Sequence, residues 1–178
     1  MSEKKDVYAE AKKQMRLSER IVAAIPGFRG YKEKELRRES DKLIRNHLHR
    51  KLAELKDDLK TVFQKLTDRR YFDVLTDMDR LLAKADRITE KVNHASYGYS
   101  GFFDVVKVKE ENLDRMIDFD NKLVDAADGL AANVNAFKAE IAKGETKDAK
   151  KKVQNITDNM EAFEETFDKR TDVMLGVI

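Results

Sequence analysis

The fold is decided by residues 47–66, HLHRKLAELKDDLKTVFQKL, in which apolar residues recur at alternating steps of four and three. This spacing places one side chain per turn on the same face of a helix, as in a coiled-coil seam. The apolar stripe consists of Leu48, Leu52, Leu55, Leu59, Val62 and Leu66. We predict a helix from about Lys32 to Leu66 that buries this stripe against other helices.

Four further segments show the same kind of spacing, and together they predict an all-α protein. The first covers about 3–24, with Tyr8, Ala11, Met15, Ser18, Val22 and Ile25 on one face. A segment after residue 70 carries Tyr71, Leu75, Met78, Leu82, Ala85, Ile88, Val92 and Ala95. The next, from about Lys109, carries Leu113, Met116, Asp120, Leu123, Ala127, Leu130, Val134, Phe137 and Ile141. The last, from about Thr146, carries Ala149, Val153, Ile156, Met160, Phe163 and Phe167.

These segments predict one domain, residues 1–178, folded as an antiparallel four- to five-helix bundle. It would contain an N-terminal helix, a helical hairpin at about 32–95, an aromatic loop at 96–108 and a second hairpin at about 109–174. Gly144 predicts the C-terminal cap of the fourth helix. Residues 67–70 contain neither Gly nor Pro, so a continuous helix through them is the alternative to a hairpin turn. We favour the turn, with Thr67 as the N-cap of the following helix.

Two short segments concentrate the glycines and aromatic rings outside the helices, at residues 25–31 (IPGFRGY) and 96–103 (SYGYSGFF). The hairpin brings both to one end of the bundle, where they either pack on each other as a lid or form an exposed rim. Tyr, Phe and Arg are frequent anchors of protein interfaces. The candidate partner-binding residues are therefore Phe28, Arg29, Tyr31, Arg37, Arg38, Tyr97, Tyr99, Phe102 and Phe103.

Little in the sequence favours catalysis or cofactor binding. Bundle metal sites use paired Glu-x-x-His motifs, but the residues three before His47, His49 and His94 are not Glu. Zero cysteines exclude disulfides and thiolate metal ligands. We therefore predict no metal, no cofactor and no enzyme activity. His47 is interpreted as a residue at the flank of the core.

Asp120 is the only acidic residue on its apolar stripe. An unpaired buried carboxylate is costly, so we expect it to be hydrogen-bonded, with an Arg or Tyr from the loops as the partner.

The composition favours a protein with a charged helical surface, because 39% of residues are charged and the net charge is only +2. No stretch reaches the ~18 apolar residues of a membrane span, and the N-terminus is charged rather than apolar, so we expect a cytoplasmic location. Residues 1–60 are net basic and residues 61–178 net acidic. This asymmetry would steer a charged partner or favour self-association.

The function that this pattern favours is a non-catalytic interaction or scaffold protein, which binds another protein through its aromatic-loop end. Two alternatives remain open because basic residues lie beside the aromatic segments, at Arg29, Lys34, Arg37, Arg38, Lys42 and Arg45. One is a peripheral protein that touches an anionic membrane surface. The other is an RNA- or ribosome-associated factor. The glutamates interspersed in this region weaken both.

Overall fold

The helices were located in a computed structural model, which describes residues 19–29, 34–95 and 110–175, with side chains for 19–29, 39–95, 115–170, 172 and 173. Residues 19–24 are the described part of α1. They are followed by α2 (Lys34–Asp68), a 3-10 turn (Phe72–Val74), α3 (Leu75–His94), α4 (Glu110–Lys143), α5 (Ala149–Asp168) and α6 (Arg170–Leu175). The predicted all-α class is confirmed, and none of the described residues forms a strand.

The two long hairpins, α2–α3 and α4–α5, lie side by side and point the same way. Within each hairpin the helices are antiparallel, as predicted. Between hairpins, α2 packs along α4 and α3 along α5. Lys51 and Asp58 of α2 pair with Asp128 and Lys138 of α4, respectively, so α2 and α4 run parallel. We call the end with the two hairpin turns the tip, and the opposite end, where α2 and α4 begin, the base.

Three of the predicted apolar stripes form the core as expected. Every described stripe residue of α2, α4 and α5 is buried, from Leu48 to Leu66, Met116 to Ile141 and Ala149 to Phe167. Both α2 and α4 pack against more than one neighbouring helix. The stripes therefore account for most of the core.

The stripes of α1 and α3 are confirmed in part, since Ile25, Met78, Ala85, Ile88 and Val92 are buried as predicted, but each stripe is wrong by one residue at one position. In α3 the fully buried leucine is Leu81, while Leu82 is only partly buried at the edge of the core. In α1 the buried residues are Ile21 and Ile25, whereas Val22 is 51% exposed. Both segments contain adjacent apolar residues, and the neighbouring helices decide which of the two faces inward.

The predicted turn between the second and third helices is confirmed. However, Thr67 does not cap α3, because it lies in the last turn of α2 and its hydroxyl donates to the Phe63 carbonyl at 2.9 Å. Val74 occupies the N-cap position instead, without a side-chain hydrogen bond. The 3-10 turn Phe72–Val74 runs directly into α3, so the position before the first residue of α3 is Val74 rather than Thr67.

Both hairpin turns begin with the same pair of backbone hydrogen bonds, the Schellman motif. After α2, the Arg70 and Tyr71 amides donate to the Thr67 and Leu66 carbonyls at 2.9 and 3.0 Å. After α4, Gly144 and Glu145 repeat the pattern, which confirms Gly144 as a cap. The residue with positive φ is Arg70 in the first turn (φ 57°) and Gly144 in the second (φ 90°).

Arg69 links the two turns at the tip. Its Nη2 donates to the Ala142 carbonyl at 3.0 Å, so a cation satisfies a backbone acceptor at the C-terminus of α4. None of the helices in the described part of the chain is long and apolar enough to cross a membrane.

Candidate functional site at the base of the bundle

Only part of the predicted partner-binding set lies within the described residues. Phe28 is 3% exposed and belongs to the core, whereas Arg29 is exposed. Arg37 and Arg38 lie on α2, but their side chains are outside the described set. Tyr31, Tyr97, Tyr99, Phe102 and Phe103, and with them the predicted contact between the two aromatic segments, lie outside the described residues.

The segment after α1 is folded so that Phe28 returns to the core. The Phe28 amide donates to the Ile25 carbonyl at 3.2 Å, closing a turn around Pro26 and Gly27. Gly27 has φ +87°, which is unfavourable for other residues, and its α-carbon packs towards Leu43 of α2. Ile21, Ile25 and Phe28 thereby hold α1 on the base of the bundle.

A buried ion-pair network joins α2, α4 and α6 at the base of the bundle. Arg170 of α6 lies between Asp120 of α4 and Asp41 of α2, and all three side chains are at most 2% exposed. Its Nε and Nη2 donate to the two Asp120 carboxylate oxygens at 2.7 and 3.2 Å, and its Nη1 donates to Asp41 Oδ1. Arg45 Nε donates to Asp41 Oδ2 at 2.9 Å, so each Asp has a cationic partner.

Charge balance explains how these groups tolerate burial. Burial alone would raise the pKa of Asp41, but Arg170 and Arg45 outweigh it and hold that pKa below its ordinary value. Two aspartates and two arginines leave no net charge in the network. Because both carboxylates are occupied by guanidinium donors away from solvent, the arrangement holds helices together rather than offering an acid or base to a substrate.

The network confirms that Asp120 is hydrogen-bonded to an arginine, and this arginine, Arg170, lies in α6. A signal for Arg170 was present in the sequence, because 163, 167 and 170 continue the stripe of α5 in steps of four and three. Asp41 likewise precedes Ile44 and Leu48 on the stripe of α2. Arg45, interpreted from the sequence as part of a basic surface, is instead buried and paired.

An open groove separates α1 from α4. Its volume is about 360 Å³, and its lining combines small or apolar residues with charged ones: Arg20, Ile21, Ala23, Ala24, Asn121, Val124, Asp125 and Asp128. Arg20 Nη2 bridges the groove to Asp125 at 2.6 Å, and both side chains are more than half exposed. Asp128 pairs with Lys51 of α2. The groove therefore has an apolar floor and a charge-balanced rim.

His47 lies on α2 near Asp128, one of the residues that line the groove. It is 7% exposed, and neither Nδ1 nor Nε2 has a hydrogen-bond partner. Burial, followed by nearby Lys51 and Arg50, lowers the pKa of His47 below 6.5. The prediction of a histidine at the flank of the core is confirmed. No group of three or more potential His, Asp or Glu metal ligands occurs within the described ranges.

Comparison with known proteins gives no relative from which a role could be transferred. No family model matches the chain, and neither a curated protein nor a solved structure matches it.

Proposed function

We propose that the protein is a non-catalytic, cytoplasmic helical interaction protein that binds another protein through the base of its bundle. The observation that carries this proposal is the exposed apolar surface of α1 beside the groove. Val22 is 51% exposed, and Ala23 and Ala24 are exposed next to it on the groove wall. Arg29 is exposed at the end of the same segment, where an aromatic and cationic rim was predicted from the sequence.

The sides of the bundle are less suited to a partner because their charges are already paired between helices. On the α3–α5 side, Lys84, Arg87 and Lys91 pair with Glu161, Glu164 and Asp168. On the α2–α4 side, the pairs are Lys51–Asp128 and Asp58–Lys138. A partner docking there would have to displace interactions that tie the hairpins together. At the base, α1 adds exposed apolar surface beside the groove.

Site-specific crosslinking from the two ends of the molecule tests this proposal. Since the chain has no cysteine, Val22→Cys and Phe72→Cys each create a single attachment point for a photo-crosslinker. Phe72 is the matched control, because it is also an exposed apolar residue (63%) but lies at the tip. We expect one specific protein to be crosslinked in host-cell extract from position 22, and not from position 72. Excess unlabelled protein should compete, and unlabelled Val22→Asp protein should compete poorly.

Two results would contradict binding through the base. One is equal crosslinking from positions 22 and 72, and the other is competition by Val22→Asp protein as effective as that by the wild type. A second copy of this chain as the crosslinked species would make self-association the function of the surface. Vesicles with anionic lipids and a single-stranded RNA are the remaining probes. Val22-dependent binding of either, without a crosslinked protein, would replace the proposal with a membrane or RNA role.

A further inference from the structure

His47 of α2 is 7% exposed, and neither of its ring nitrogens has a hydrogen-bond partner. It follows Leu43 by four residues on α2, so the two side chains share a face. A β-carbon at Gly27, in the turn after α1, would lie 3.6 Å from Leu43, so this turn packs on the same face. Asp128 of α4, which acts on the pKa of His47, lines the groove beside α1. A neutral imidazole has one donor and one acceptor, and both are left unsatisfied in this site.

The charged groups that act on His47 lie on α2 and α4. On α2 these are Arg50, Lys51 and Glu54, and on α4 it is Asp128. Asp128 pairs with Lys51, and Lys51 and Arg50 act on the ring more strongly than Asp128 and Glu54 do. On α1, Arg20 lines the adjoining groove and pairs with Asp125 of α4. The net effect of the charges beside the ring therefore opposes its protonation.

We propose that His47 makes the docking of α1 proton-sensitive: the neutral ring remains buried under α1, and protonation of the ring releases α1 from α2 and α4. Release would give the imidazolium access to water for both N–H donors. It would also expose Ile21, Ile25 and Phe28. The groove would be lost as well, because α1 forms one of its walls. The device concerns the conformation of the protein alone, and it holds whether or not the base binds a partner.

Within the described residues, α1 is held mainly by apolar contacts. Three apolar side chains hold the segment, while the Arg20–Asp125 pair is more than half exposed and so contributes little. Burying an unpaired charge is more costly than burying an unpaired polar group. The protonated ring therefore opposes docking, and the neutral ring leaves the apolar contacts in place.

The sign of the pH dependence follows from the two states. The pKa of His47 is lowered by burial when α1 is docked and returns towards 6.5 on release, so the released state binds more protons. Docking is then unaffected above about pH 7.5 and weakens as the pH falls through 6.5. If the docked ring takes up no proton, the opening equilibrium rises about tenfold between pH 7.5 and 5.5.

Hydrogen exchange measured by mass spectrometry on the full chain tests the device. Exchange rates over residues 19–28 are corrected for the intrinsic effect of pH and compared between pH 7.5 and 5.5. We expect up to about tenfold faster opening at pH 5.5 in the wild type, while residues 52–62 in the middle of α2 remain protected. In His47→Leu the corrected rate should be independent of pH. His94→Leu is the control, because His94 is 65% exposed on α3 and should retain the wild-type response.

Two results would overturn the proposal: no change in corrected exchange in the wild type, or the same change in His47→Leu. His47→Gln gives a second, neutral and polar variant, and it should also lack the response if His47→Leu folds poorly. NMR titration of the His47 ring gives an independent readout. A ring that titrates at or above 6.5 while residues 19–28 stay protected would likewise refute it.

Discussion

At the scale of single residues, Arg170 joins two buried carboxylates at the base of the bundle. It continues the apolar stripe of α5 into α6, yet it places a guanidinium between Asp120 and Asp41. A hydrophobic residue at this position would extend the core but would leave two carboxylates buried. The network therefore selects the arrangement in which α2, α4 and α6 meet at these three residues.

Replacing Arg170 with Leu tests this role. We expect a loss of about 3–5 kcal/mol in the free energy of unfolding, because Asp120 and Asp41 lose the buried guanidinium that they share. Urea denaturation at neutral pH measures it. Lys60→Leu is the matched control, since Lys60 pairs with Asp57 where both side chains are more than half exposed, and it should cost less than about 1 kcal/mol. Equal, small losses in both variants would contradict a stabilising network at the base.

At the scale of helices and turns, the two hairpins use one turn motif with two different residues at its left-handed position. Gly144 adopts its φ of 90° without strain, while Arg70 adopts φ 57° with a β-carbon that disfavours it. A β-carbon at Gly144 would lie 2.9 Å from Arg69 Nη1, the guanidinium that caps α4 through Nη2. Glycine at 144 therefore avoids both backbone strain and displacement of the Arg69 side chain. The first turn has no glycine at the equivalent position, so Arg70 carries the strain of the left-handed conformation.

Exchanging these residues gives opposite expected effects. Arg70→Gly should stabilise the protein by about 1 kcal/mol, because it relieves the left-handed strain at the end of α2. Gly144→Ala should destabilise it by about 1–2 kcal/mol, through strain and displacement of Arg69. Thermal unfolding followed by circular dichroism compares both with the wild type. A lower melting temperature for Arg70→Gly would mean that the Arg70 side chain contributes more than its backbone strain costs.

The helices were predictable from the sequence where one apolar stripe was unambiguous, as from Leu48 to Leu66 and from Met116 to Ile141. The prediction was wrong by one residue at Leu81–Leu82 and Ile21–Val22, because adjacent apolar residues leave the inward face to be chosen by neighbouring helices. Asp120 was recognised, but Arg170 was not, because a cation after the last Phe of α5 resembles an exposed helix end. Such partners become evident only when the hairpins are placed together.

At the scale of the whole molecule, complementary charges line the contacts between the hairpins. Along α3 and α5 the first hairpin supplies the cations and the second the carboxylates. Glu164 pairs with two of these cations. Arg87 donates to both of its carboxylate oxygens, and Lys91 Nζ lies 3.0 Å from Oε1. The Arg87 hydrogen bonds, helped by Lys91, lower the pKa of Glu164 to about 2.

This lowered pKa predicts an acid-dependent contribution to stability. The carboxylate binds a proton more readily in the unfolded chain, so its contribution is complete above about pH 4.5 and is lost as the pH falls towards about 2. Glu164→Gln should therefore be less stable than the wild type at pH 7, and the difference should shrink at pH 3. Urea unfolding at both pH values measures it. Glu161→Gln, with a side chain 53% exposed, is the control, and a constant difference for Glu164→Gln would contradict the assignment.

The proposed interaction surface and the proposed proton-sensitive histidine both depend on the two hairpins pointing the same way. Distances between paired spin labels measure that orientation most directly, and the absence of native cysteines makes the labelling specific. Phe72→Cys with Lys147→Cys reports the distance between the two turns. Lys42→Cys with Lys147→Cys reports the distance from base to tip. We expect about 10–20 Å for the first pair, since the Phe72–Val74 turn packs against α5 close to Lys147. We expect about 40 Å for the second pair, the rise of α2 from Lys42 to Asp68. A long first distance and a short second one would show that the hairpins point in opposite directions, and would contradict the account.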